Sequence, residues 1–316
     1  MTDLETMMSN FTKEKLLHEG KTKEVFTVVG HPDLVIIKNK NDITKNDDPS
    51  QTKVMESKAG IATETTCIVF DFLREQGVKV AYRERISETE FVAVRTDMIR
   101  IEVIERWYPY GSFLVRFPQY ARLDGGFPYS FNEPRFEVFL KTTGGKIVSK
   151  EGKEIRELPV DFKTGRVIDD PFIFSYKDEF WLLKHPKVSI SAKESNLCTV
   201  YSRDILPKGI SMQEIKEEAD KIACLLKKFL SLVDLSLVDF KIEFGVGPDG
   251  ELLLSDVIDN DSWRLRDYDW KERSKELFRQ NQDMKEVKES YEFVARQLRR
   301  ADVITRTSGK RIFIEH

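Results

Sequence analysis

The chain has 316 residues, 40% hydrophobic and 33% charged, with a formal charge of −3: enough for one large or two ordinary domains, and a poor match to a basic nucleic-acid coat protein. The start, MTDLETMMSNFTKEK, lacks a signal-peptide core, and no stretch reaches the roughly 20 apolar residues of a transmembrane helix, so the expectation is a cytoplasmic protein. Three separated cysteines (Cys67, Cys198, Cys224) and four scattered histidines (His18, His31, His185, His316) form no disulfide framework or zinc pattern, and a metal here is expected to be magnesium on carboxylates.

In chain order, KLLHEGKTKEVFTV places Gly20 between two strand-like stretches, so Gly20-Lys21-Thr22-Lys23 is predicted as a hairpin turn. LVIIKNK, from Leu34, continues the strand pattern. Within residues 50–76 the apolar spacing becomes helical, and Gly77 supplies a C-terminal stop. KVAYRERI, EFVAVRTDMI and EVIER then read as strands. Residues 107–135 are rich in aromatics, glycine and proline, which predicts a loop packed by its own rings in preference to a base-stacking surface. FEVFLKTTGGKIV reads as a hairpin arm, and residues 142–167 as a turn-rich excursion from the core.

The strongest predicted helix is SMQEIKEEADKIACLLKKFLSLV, with Ser211 and Glu214 in capping-box spacing. Ile215, Ala219, Ile222, Leu225 and Leu226 share one face of it. LSLVDFKIEFGV and ELLLSDVI follow as two strands joined by Gly247-Pro248-Asp249-Gly250, a turn signal that predicts an antiparallel hairpin. MKEVKESYEFVARQLRRA is predicted as an amphipathic helix, and RTSGKR as a solvated basic end.

Chemistry concentrates in that hairpin. Strand periodicity puts Asp239, Lys241 and Glu243 on one face and Val238, Phe240, Ile242 and Phe244 on the other. The bland reading is a solvated face; Asp256 at the end of the return strand favours a site. Carboxylates on paired strands with a lysine between them suit Mg²⁺ and a triphosphate. Gly20, Lys21, Lys23 and Lys38 are candidates for covering nucleotide phosphates, although each lysine also reads as a surface charge. Arg106 with Gly111-Ser112, and Arg264 after the acidic stretch, are candidates for holding an anionic substrate.

The blocks EGKTKEVF (19–26), DIT (42–44), ESKAGI (56–61), RWYPYGSF (106–113), DDP (169–171), LVDFKIEFG (237–245) and SDVIDNDSWRL (255–265) together resemble the SAICAR synthetase family of purine biosynthesis, especially the synthetase part of the bifunctional animal enzyme. The resemblance implies an ATP- and Mg²⁺-dependent carbon–nitrogen ligase that joins L-aspartate to CAIR, giving SAICAR, ADP and phosphate through an acyl phosphate. It places the Gly20-Lys21 region over the ATP phosphates, with Lys23 and Lys38 remaining candidates beside it, and Glu243 and Asp256 on magnesium. Lys241 and Asp239 fall at the reaction centre, and Arg106, Ser112, Arg264 and Asp170 at the substrates. It leaves Asp259 and Asp261 without assigned jobs.

The implied fold is α+β with two lobes: a smaller, mostly β N-terminal lobe (1–100) over the ATP phosphates, and a larger ATP-grasp-like C-terminal lobe (101–316), with nucleotide in the cleft. Small-molecule partners only are expected, with no nucleic acid and no membrane, and a homo-oligomer is left open. Two departures from the family pattern stand out: Trp107-Tyr108-Pro109-Tyr110 before Gly111-Ser112, and the excursion at 142–167 ahead of Asp170-Pro171. The rival readings are a small-molecule kinase of the inositol-phosphate type, a nucleic-acid-binding protein and an inactive scaffold. The joint presence of GSF and DNDSWRL discriminates against the kinase.

Overall fold

The computed structural model describes residues 11–45, 49–122, 124, 126, 128–161, 163–176 and 179–308. His316, the first ten residues and the last part of the basic end, from Gly309, lie outside the described residues. The chain forms two compact units: residues 1–97, 225–237 and 247–316 make the first, residues 98–224 and 238–246 the second. Where the sequence places a single boundary at 100/101, the chain crosses between units at 97/98, 224/225, 237/238 and 246/247.

The first unit contains a five-stranded antiparallel sheet in the order Lys13–Glu19, Lys23–Val28, His31–Asn39, Glu90–Val94, Tyr82–Arg85. The predicted Gly20 turn is present, closed by the Gly20 N–H donating to the Lys23 carbonyl at 2.8 Å. Val28, Ile36 and Val92 pack on one face of the sheet with Phe11, Phe26, Leu34 and Ile86 against them. The helical pattern of 50–76 begins later than its spacing implies. Thr52–Val54 is a strand paired with Asp42–Thr44, and the helix runs Lys58–Glu75. Ser57, in the left-handed region at φ 69°, separates the two. Gly77 (φ 81°) ends the helix as expected, its N–H donating to the Arg74 carbonyl at 3.0 Å.

Helix Met284–Ser308 packs on helix Lys58–Glu75, with Arg299 gripping Glu64 through two bonds of 2.6 and 2.7 Å. This long-range packing brings the C-terminal residues into the unit formed by the N-terminal strands. A second core of Ile43, Met55, Leu277, Phe278, Val287 and Tyr291 lies in the same unit.

The second unit is built on an antiparallel sheet in the order Asn196–Tyr201, Phe180–Lys184, Phe172–Ser175, Arg135–Leu140, Ile101–Arg106, then residues 238–246 of strand Ser236–Val246. Helix Met212–Ser231, which passes from this unit to the first at 224/225, has the predicted cap: the Glu214 N–H donates to Ser211 Oγ at 3.1 Å, and all five residues of the predicted apolar face are buried. Residues 142–167 form a hairpin of Lys146–Val148 with Glu154–Glu157, followed by a Val160–Val167 bridge. In the aromatic stretch, Phe113 packs on Phe117, Tyr120 and Phe131 with ring centroids 4.7–5.6 Å apart, a self-packed loop as predicted. The architecture is α+β throughout: antiparallel sheets, with helices contributed by separate stretches of chain.

Candidate active site

Within the second unit, Asp239, Lys241 and Glu243 occupy the strand as the period-2 reading requires, but their face is not a solvated one. Asp239 and Glu243 are 4% and 5% exposed. Burying carboxylates is costly unless each finds a charge or donor, and both do. Asp239 sits directly across from Arg106 in the sheet register and accepts its Nη1 at 2.5 Å. Glu243 Oε2 accepts Lys141 Nζ at 2.6 Å, and its Oε1 lies 3.6 Å from Lys241 Nζ. Lys241 also lies 3.1 Å from Glu102. The result is a polar strip of two ammonium groups alternating with two carboxylates, in which both lysines are partly exposed.

Arg106 is itself buried, donating Nε to Glu137 at 2.5 Å. Ser112 opens the short helix Ser112–Arg116, entered through Gly111 at φ 59° and ψ −135°, a conformation that favours glycine. Asp170, also at positive φ (45°), accepts the Thr142 N–H at 2.8 Å, and burial pushes its carboxyl above the usual range. A surface cavity of about 520 Å³ lies beside the aromatic loop, lined by Pro109, Gln119, Tyr120, Arg122, Tyr129 and Phe131 among others.

In the first unit, the predicted turn is closed by the Gly247 N–H donating to the Glu251 carbonyl at 2.9 Å, with Gly250 at φ 78°. Strand Leu252–Ser255 bridges to Val80. Asp256 follows at φ 63°, turning the chain out of the strand, and its carboxylate meets the Lys23 ammonium. Thus Lys23, from the Gly20 hairpin, and Asp256 are brought together. Lys38 pairs with Glu24 at 3.0 Å, and Lys40 donates to the Gly20 carbonyl at 3.2 Å. Arg264 donates Nε to Glu276 at 3.1 Å.

Asp261 accepts Tyr291 Oη at 2.7 Å and Lys275 Nζ at 3.0 Å, and lies 3.3 Å from Lys58 Nζ. Burial works to raise its pKa, but Lys58, Lys275 and the Tyr291 hydroxyl hold the carboxyl well below the usual range. Asp259 accepts the Asp261 N–H at 2.9 Å; burial, reinforced by the Asp261 charge, pushes its carboxyl upward. Asp261 therefore ties together three stretches of chain.

Among the described residues, no group of three or more histidine, cysteine or acidic side chains could by itself hold a metal. Glu243 in the second unit and Asp256 in the first are each a hard oxygen donor facing a lysine ammonium. Each is the kind of ligand that suits magnesium, which characteristically takes one or two carboxylates and completes its shell with water and phosphate oxygens.

A family model described as SAICAR synthetase matches residues 16–298. The chain belongs to the SAICAR synthetase family. Among relatives, it is 32% identical over 303 residues to a probable multifunctional protein ADE2 of Caenorhabditis elegans, covering 92% of this chain and 57% of that one. The chain thus spans little more than half the length of that relative. It is 30% identical over 255 residues to a phosphoribosylaminoimidazole-succinocarboxamide synthase of Chloroflexus aggregans, covering 79% of each. A solved SAICAR synthetase in complex with ADP superposes with a TM-score of 0.63 at 25% identity, over 89% of this chain and 96% of that one.

Several side chains of this family member escape a motif reading: Glu102, Glu137, Arg116, Lys141, Lys275 and Tyr291. Lys58 lies in the ESKAGI block, which assigns it no role; the structure makes it the first residue of its helix, where a cation opposes the helix dipole and calls for an acidic partner. The others lie in or just beside strands and helices whose neighbours only tertiary pairing defines.

Proposed function

We propose that the chain is an ATP- and magnesium-dependent ligase of the cytoplasm that joins L-aspartate to the carboxylate of CAIR, releasing SAICAR, ADP and phosphate. The observation that carries this reading is the strand face Asp239–Lys241–Glu243, whose two carboxylates are buried and whose partly exposed lysine lies between Glu102 and Glu243, in a chain matched to the family over residues 16–298. Lys241 orients the triphosphate and the carboxylate that receives the phosphoryl group, which gives an acyl phosphate that the aspartate amine then attacks. Gly20, Lys21, Lys23 and Lys38 bind the ATP phosphates. Glu243 and Asp256 would hold magnesium, exchanging their present ammonium partners for it; the ion, when bound, supplies positive charge against the transferring phosphoryl group. Arg106, Ser112 and Arg264 bind the ribonucleotide, Asp170 contributes to the substrate pocket, and Asp239 orients Arg106. No membrane or nucleic-acid partner enters this reading; among the described residues no helix is long and apolar enough to cross a membrane.

The test is mass detection of SAICAR from CAIR, ATP and aspartate. Phosphate should be released only when both co-substrates are present. Transfer to an inositol or sugar hydroxyl with no SAICAR formed would overturn the proposal in favour of a small-molecule kinase.

A further inference from the structure

Arg106 and Asp239 are two links of a longer chain of charges. Arg116, the last residue of helix Ser112–Arg116, is fully buried. Its Nε and Nη2 donate to Glu137 Oε1 at 3.1 and 2.6 Å, and its Nη1 to the Pro186 carbonyl at 2.6 Å. The other Glu137 oxygen, Oε2, accepts Arg106 Nε at 2.5 Å, and Arg106 Nη1 donates to Asp239 at 2.5 Å. The order is guanidinium, carboxylate, guanidinium, carboxylate, so each buried ion has an opposite neighbour and the chain is neutral as a whole. The Arg116 plane is held further by Phe139 and Phe172, whose ring centroids are 4.9 and 5.0 Å away.

The path of this chain through the fold gives it a consequence. It starts on the helix that begins with Ser112, crosses strands Arg135–Leu140 and Ile101–Arg106, and ends on the strand that carries Lys241 and Glu243. Planar forks fix direction as well as distance, which lysines would not do. We propose that Glu137 and Arg116 are positioning residues that lock the Gly111-Ser112 turn to the Asp239–Lys241–Glu243 strand, setting the binding geometry for the anionic ribonucleotide. The kinetic consequence rests on the ligase reading above; the mechanical coupling does not.

The test compares wild-type protein with Glu137→Gln and Arg116→Lys. For Glu137→Gln, KM for the ribonucleotide should rise about tenfold or more while KM for ATP stays within about twofold, since misplacement of one substrate's contacts leaves the other's intact. Glu137→Asp, which keeps the charge, should recover part of the loss. Backbone hydrogen exchange over residues 111–117 should also quicken in Glu137→Gln, with helix Met284–Ser308 unaffected. Equal rises in both KM values, or a fall in kcat alone, would overturn the positioning role. Unchanged exchange over 111–117 would overturn the coupling. If Glu137→Gln does not fold, Arg116→Lys carries the same two readouts. A wild-type protein that forms no SAICAR would sink the ligase reading, whereas exchange would still report on the coupling.

Discussion

The two units each bury a charged network, and they build it differently. In the first, Lys58 and Lys275 converge with Tyr291 on one carboxylate, Asp261, which joins helix Lys58–Glu75, the 256–262 loop and helix Met284–Ser308. In the second, two arginines and two carboxylates alternate in a line. A lysine ammonium is a compact point charge on a flexible stem, so a hub of lysines fixes distance to a centre and little else. A guanidinium is a rigid fork that fixes orientation. The hub is therefore a fastening between segments of chain, and the line of forks is a register for side chains on adjacent strands. Removing the centre of the hub takes the shared anion from both the buried Lys58 and the partly buried Lys275, whereas removing either end of the line leaves each inner ion one opposite neighbour.

Four measurements would break or sharpen that contrast. The largest effect is expected away from both networks, at the carboxylates proposed for magnesium: Glu243→Ala and Asp256→Ala should each lower turnover about a hundredfold or more without unfolding the chain. Normal turnover in either folded variant would end its assigned role. Next is the hub centre. Asp261→Asn leaves Lys58 and Lys275 without their shared anion and should cost about 3–5 kcal/mol in denaturant unfolding, more than Arg116→Lys, which keeps every charge in the line. A smaller cost than that of Arg116→Lys would reverse the ranking of hub and line. The wild-type hub should also give a pH signature: because the folded-state pKa of Asp261 is depressed, its contribution is present above the ordinary carboxylate range and is lost as pH falls through the folded value.

The third measurement concerns a carboxyl in neither network. Glu105 is fully buried, with burial first and then the neighbouring Asp220 charge pushing its carboxyl well above the usual range. The folded chain holds this proton more tightly than the unfolded chain does, so stability falls as pH rises from the ordinary carboxylate value toward the folded one. Glu105→Gln removes that loss, and the Tm advantage of the variant should grow from pH 5 to pH 8; a constant difference would show that Glu105 does not titrate in this window. The smallest effect is local: Ser211→Ala should cost about 1 kcal/mol by removing the cap of helix Met212–Ser231, with no change in either network.

Much of this organisation was legible along the chain because it is local. The Gly20 and Gly247–Gly250 turns, the Ser211 cap and the Gly77 stop each depend on a few neighbouring residues, and each formed as its chemistry predicts. The alternation of Asp239, Lys241 and Glu243 was equally readable, since a strand's faces follow from its period. The start of helix Lys58–Glu75 was not, because helical spacing continues through residues that Asp42–Thr44 draws into a strand pair. Nor was the job of Asp261, whose three partners lie 203 positions behind it or 14 and 30 ahead of it in the chain.

By itself, then, the sequence determined the elements, their caps and turns, the family blocks and the residue types available for chemistry. The tertiary structure decided which of those charges are buried, which partner each one has, and why residues 225–237 and 247–316 join the N-terminal strands in one unit. The physical reason is the range of the forces involved. Backbone conformation and capping respond to the next few residues, but the state of a buried ion depends on whatever charge the fold brings within a few ångströms of it, from any distance along the chain.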